Sequence, residues 1–73
     1  MEFDDIQQAL AEQIRSERSR VGLSQEQLAL TAEVDRTYVS QLERGIANPS
    51  LQILYRIAGA LNSDLVVKLK DRK

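Results

Sequence analysis

The chain has 73 residues, 42% hydrophobic and 29% charged, the balance of one small folded domain rather than of a disordered segment. It holds no Cys and no His, which excludes disulfides, thiolate zinc sites, His-ligated metals and His-based acid–base catalysis. Ten Lys and Arg against eleven Asp and Glu give a net charge of −1, so any attraction to a polyanion has to come from the charge of one face rather than from the total.

Apolar residues at helical spacing mark a first helix over Phe3 to Arg20, with Phe3, Ile6, Leu10, Ile14 and Val21 on its inner face and Gly22 as its stop. Asp4 and Asp5 read as favourable charges at the start of that helix rather than as a cation site. Ser24 opens a second helix with Gln27 three residues on, the capping-box pattern, and Leu28, Ala29 and Ala32 form its buried stripe. Glu33-Val34-Asp35 is a turn. Asp35 suits the N-cap of a third helix running from Arg36 to Glu43 or Arg44, with Val39 and Leu42 inward and Gly45 closing it.

Ile46-Ala47-Asn48-Pro49 is a loop, and Ser50 caps a fourth helix whose inner face is Leu51, Leu54, Ile57, Ala58 and Leu61. Gly59 inside it costs about 1 kcal/mol relative to Ala and suggests close packing. The tail, about 62–73, changes period. Leu65, Val67 and Leu69 alternate with Val66, Lys68 and Lys70, a strand signal. A lone strand in a helical chain either pairs with the same strand of a second copy or is a fifth helix. The expected fold is therefore all-α, a compact bundle of four to five helices forming one domain over 1–73, with a C-terminal β-strand at a dimer interface formed by Leu65, Val67 and Leu69. Self-association also fits the length, since domains below about 70–80 residues commonly need a disulfide, a metal or a partner.

Two short helices joined by a three-residue turn describe a helix-turn-helix, here about residues 24–44. Leu28, Ala32, Val34, Val39 and Leu42 are apolar where the motif needs core, and Ala29 is small where the helices approach. Over about residues 6–62 the chain resembles the lambda-repressor/Cro-like (XRE-type) helix-turn-helix regulators. The resemblance is carried by Gly22-Leu23-Ser24-Gln25-Glu26-Gln27-Leu28-Ala29, by Tyr38-Val39-Ser40-Gln41-Leu42-Glu43-Arg44-Gly45, and by Asn48-Pro49-Ser50-Leu51 with Ile57-Ala58-Gly59-Ala60-Leu61. Within that family, Asp35-Arg36-Thr37-Tyr38-Val39-Ser40 is most similar to controller proteins of restriction-modification systems. The tail departs from that subgroup, whose chains end in a fifth, dimerising helix, and looks more like that of certain antitoxin-repressors. Glu33 departs too: the family usually has Gly there, and a left-handed Glu would cost on the order of 1 kcal/mol.

The resemblance implies a sequence-specific, DNA-binding transcriptional regulator acting as a homodimer on a pseudopalindromic operator, autoregulatory, as a restriction-modification controller or small repressor. It assigns base contacts to Arg36, Thr37 and Gln41. Arg36 suits guanine O6 and N7, Gln41 suits adenine, and the Thr37 methyl suits thymine. Phosphate contacts are expected from Ser24, Gln25, Tyr38, Ser40, Arg44, Asn48 and Ser50, several of them at helix N-termini. Glu43, a carboxylate near DNA, is expected to form a structural ion pair with Arg18. The alternative is an antitoxin-type repressor whose main act is to hold a protein partner such as a toxin.

No enzyme is expected: glycine-rich phosphate loops and convincing carboxylate pairs are missing, and Ser24 has no base nearby. No cofactor, metal or small-molecule ligand is expected either, and Lys68, Lys70, Arg72 and Lys73 read as a solvated, solubilising end. No apolar run suits a membrane span or signal peptide, so the expected location is cytoplasmic, on the nucleoid when bound to DNA.

Overall fold

A computed structural model describes residues 1–72; Lys73, expected to be solvated, lies outside them. Four helices follow one another: α1 (Phe3–Val21), α2 (Gln25–Ala32), α3 (Arg36–Glu43) and α4 (Leu51–Ala60). Among the described residues none of these is long and apolar enough to cross a membrane.

Each start and stop has a local cause. Asp4 and Asp5 lie in the first turn of α1, and the Glu2 N–H donates to Asp5 Oδ2 at 3.2 Å. Gly22 ends α1 at φ 77, the left-handed geometry a glycine adopts freely. At α2 the capping box forms in both directions: the Gln27 N–H donates to Ser24 Oγ at 3.0 Å and the Ser24 N–H to Gln27 Oε1 at 2.8 Å. Ser50 Oγ accepts from the Ile53 N–H at 3.1 Å and starts α4. Asp35 occupies the N-cap of α3 in extended geometry, but its side chain makes no capping hydrogen bond; only its carbonyl serves the helix, accepting from Tyr38 and Val39.

The core joins Ile14 of α1, Leu28, Ala29 and Ala32 of α2, Val39 and Leu42 of α3, Ala47 of the loop, and Ile57 and Leu61 at α4. Leu28 and Val39 are completely inaccessible to solvent. Two inner faces differ from the periodicity reading. Phe3 and Ile6 are exposed, because α1 at 19 residues is more than twice as long as α2 or α3 and its first turns outrun the body they would pack on. Ala11 is buried instead, where α1 comes close to its neighbours. On α4, Leu51 is 62% exposed, and Ile53, Ile57 and Ala60 turn toward the core. Ile57 and Leu61 are buried and Leu54 and Ala58 half-buried, as the expected stripe has them; Leu51 in the first turn faces out, and Ile53 packs against the core there instead. Nor does Gly59 mark close packing: a β-carbon there would meet no heavy atom within 4 Å.

Within the single chain the described part of the tail is neither a fifth helix nor a strand. Asn62 at φ 56 closes α4 in left-handed geometry, with the Ser63 N–H reaching back to the Ala58 carbonyl at 2.9 Å, so the helix cannot continue. Residues 63–72 carry no regular structure, because one helical chain offers a strand no edge to pair with. Leu65 is half-buried, whereas Val67 is exposed and Leu69 is 97% exposed.

Candidate nucleic-acid interface

The geometry of the site begins at the turn between α2 and α3. Glu33 adopts φ 60 and ψ 47, so the left-handed position is occupied by a residue with a β-carbon, at a cost of about 1 kcal/mol or more. The Val34 N–H returns to the Ala29 carbonyl at 3.0 Å, which closes α2 and releases the chain in the direction of α3. Val34 and Tyr38 pack against the core from the turn side.

α3 is amphipathic with a sharp division. Val39, Leu42 and Glu43 are buried. Arg36, Thr37 and Arg44 are exposed, and Ser40 and Gln41 are half-buried at their margins. The spacing of Arg36, Thr37, Ser40, Gln41 and Arg44 puts these five on one side of the helix. Among the described residues neither Arg36 nor Arg44 forms an ion pair, so both charges face solvent.

The carboxylate of Glu43 is buried and fully engaged. Arg18 Nε donates to Glu43 Oε2 at 2.5 Å and another guanidinium nitrogen to Oε1 at 2.9 Å, a bidentate pair. Gln25 Nε2 adds a third bond to Oε1 at 3.1 Å, and Arg15 donates to the Glu43 carbonyl. Burial pushes the Glu43 carboxyl up, but the hydrogen bonds from Arg18 and Gln25 and the charges of Arg18 and Arg15 outweigh it and hold it below the ordinary carboxylate value. The negative charge is thereby neutralised inside the protein and does not face the polar side of α3.

Other expected residues have mixed positions. Ser24 and Ser50 both use Oγ to accept a helix-capping bond, which leaves each hydroxyl proton to donate outward. One N–H of the Gln25 amide is committed to Glu43, which leaves its second N–H and its oxygen unengaged. Asn48 is exposed in the loop after α3. Arg18, besides holding Glu43, donates to the Leu23 carbonyl at 2.9 Å and ties the α1–α2 junction to the same node.

Three anchoring residues escape a reading of the sequence. Arg15 lies one turn before Arg18 on α1, a spacing that points both at Glu43 and could have been noticed. Gln7 Nε2 donates to the Ala47 carbonyl at 2.8 Å, fixing the loop after α3. Arg56 of α4 donates to the carbonyls of Ala32 and Glu33; no local pattern signals a contact between residues so far apart in the chain.

A short helix, a left-handed turn and a second helix with a polar, arginine-bearing face define a helix-turn-helix domain of the DNA-binding kind. The chain belongs to the helix-turn-helix family, whose model matches residues 14–67, and is a DNA-binding transcriptional regulator. It is similar to control protein C.SmaI of Serratia marcescens, 45% identical over 71 residues that cover 97% of this chain and 83% of that protein. It is also similar to control protein C.BamHI of Bacillus amyloliquefaciens, 37% identical, with 80% of this chain and 73% of that protein covered. In structure it matches the restriction-modification controller protein C.AhdI of Aeromonas hydrophila with a TM-score of 0.80 and 37% identity, over 82% of this chain and 91% of that one. The resemblance of the α3 segment to controller proteins thus extends over most of the chain.

Proposed function

We propose that this regulator acts as a homodimer on a pseudopalindromic operator and controls its own gene together with those of a restriction-modification system. The relatives it resembles over most of its length are control and controller proteins. The observation that carries the reading is the polar side of α3, with Arg36, Thr37 and Arg44 exposed and Gln41 half-buried beside them, on a helix anchored by Arg18 and Glu43. Arg36, Thr37 and Gln41 read bases in the major groove, and Arg44, Ser40, Tyr38, Ser24, Gln25, Asn48 and Ser50 hold phosphates. Two copies set their α3 helices about 34 Å apart in successive major grooves. Leu65, Val67 and Leu69 of the tail supply the contact between the copies. The work is binding rather than chemistry, on double-stranded DNA in the cytoplasm.

Fluorescence anisotropy on the DNA upstream of its own gene, against a scrambled duplex at two salt concentrations, tests this. Tight, salt-sensitive binding to the native sequence alone supports it. Equal binding to both duplexes removes the autoregulatory operator from the reading, and no binding to either removes direct DNA recognition.

A further inference from the structure

α2 ends without a cation of its own. No basic residue occupies its last turn, and its C-terminal cap is Glu33 in left-handed geometry. An acidic residue there opposes the negative end of the helix dipole, and its β-carbon strains the backbone. The missing cation comes from α4. Arg56 Nε donates to the Ala32 carbonyl at 3.0 Å and a terminal nitrogen donates to the Glu33 carbonyl. One planar guanidinium thus holds two consecutive carbonyls at the point where the chain leaves α2 for α3. The far side of the turn has no comparable support, since the Asp35 side chain makes no capping bond.

We propose that Arg56 is a positioning residue for DNA recognition: by clamping the Ala32 and Glu33 carbonyls it sets the angle at which α3 presents Arg36, Thr37 and Gln41. This rests on the DNA-binding reading above and adds a residue on α4, outside the polar side of α3. The left-handed turn is strained with Glu33 and would relax with glycine, so Arg56 and Glu33 are coupled. The clamp is what allows a non-glycine residue at this junction without loss of α3 geometry.

The test uses a duplex selected by the wild-type protein from a random pool, with binding read by anisotropy well below the melting temperature. Arg56→Met keeps the aliphatic stem and removes the fork. Affinity is expected to fall about tenfold, with the salt dependence unchanged in slope. Glu33→Gly placed in the same chain recovers most of that loss, although alone it changes affinity little, and Arg56→Lys is intermediate because an ammonium lacks the planar fork. In the DNA-free protein, hydrogen exchange at the Val34 amide, bonded to the Ala29 carbonyl at 3.0 Å, speeds up in Arg56→Met while the amides of α1 do not change.

Unchanged affinity in Arg56→Met overturns the proposal. So does a loss that Glu33→Gly fails to recover and that lowers the salt slope by about 0.9, which would make Arg56 a phosphate contact. A wild-type protein that selects no duplex overturns the DNA-binding reading instead, and unchanged Val34 exchange in Arg56→Met overturns the clamp by itself.

Discussion

Arg18 and Glu43 meet as a bidentate pair across the junction of α1 and α3, and the Glu43 side chain in that pair is only 3% accessible. The same carboxylate takes a bond from Gln25 at the start of α2. Three helices therefore converge on one buried charge, and the C-terminal end of α3 is tied to the rest of the domain there. Removing one partner leaves the other underpaired in a poorly solvated place, the costly case for a buried pair.

Arg18→Ala is expected to destabilise the domain by about 2–3 kcal/mol, under the roughly 3–5 of a wholly buried pair because Arg18 keeps partial exposure. Glu43→Gln should cost a similar amount. A double-mutant cycle in urea should give a coupling of about 1–2 kcal/mol; additive effects would mean that the pair does not act as a unit.

Acid should loosen the fold through the same carboxylate. Its folded value lies below the ordinary 4.5, so the unfolded chain binds the proton more readily. The stabilisation is present in full above about pH 4.5 and is lost as pH falls through the lower folded value. Urea midpoints measured from about pH 6 down to about pH 3 should fall, and Glu43→Gln should flatten that slope.

On DNA, Arg36→Ala and Arg44→Ala should differ in kind. Loss of a bidentate base contact by Arg36 is expected to cost about 1–3 kcal/mol and relax discrimination at one operator position. Loss of Arg44 should weaken all sequences alike and lower the salt slope by about 0.9. Titrations on matched and singly mismatched duplexes at several salt concentrations separate the two.

Two glycines should respond oppositely to alanine. Gly45 sits at φ 75, a left-handed geometry that strains any residue with a β-carbon, and the end of the exposed Gln8 side chain would also have to swing aside, so Gly45→Ala should destabilise by about 1 kcal/mol or more. Gly59 has no atom within 4 Å of where a β-carbon would go, and Gly59→Ala should stabilise by roughly 0.5–1 kcal/mol. Thermal melts of the two variants check both signs.

Truncation after Ser63 should weaken self-association while leaving the helices intact. The removed segment holds Leu69, 97% exposed, with Val66 and Val67 also exposed. Sedimentation equilibrium of the shortened chain, with circular dichroism as the fold control, measures this; an unchanged dimer would move the interface to the helical body.

Where a boundary depends on neighbours in the chain, it was legible. Ser24 with Gln27, Gly22 and Ser50 act within one turn of themselves, and the helices begin and end where those residues require. The polar side of α3 was equally readable, because Arg36 to Arg44 is one amphipathic helix whose inner residues are unambiguous. The Arg18–Glu43 contact was suggested only by resemblance to a family, since the two lie on separate helices. What needed the folded chain is long-range. On α4 the expected Ile57 and Leu61 are buried, but at the start of the helix packing took Ile53 rather than Leu51. The overhang of Phe3 and Ile6 follows from helix lengths seen against one another. Arg56 reaches the α2–α3 turn from another helix, and its bonds to Ala32 and Glu33 leave no periodicity behind. The alternation in the tail reported a capacity for extended structure, but a strand exists only with an edge to pair with, and one helical chain supplies none. Helix limits and amphipathic sides are thus properties of the sequence by itself, because the capping and spacing that make them act over a few residues. The choice of buried face, the anchoring of the turn and the state of the tail belong to the tertiary structure, because each depends on which distant surface is available to meet it.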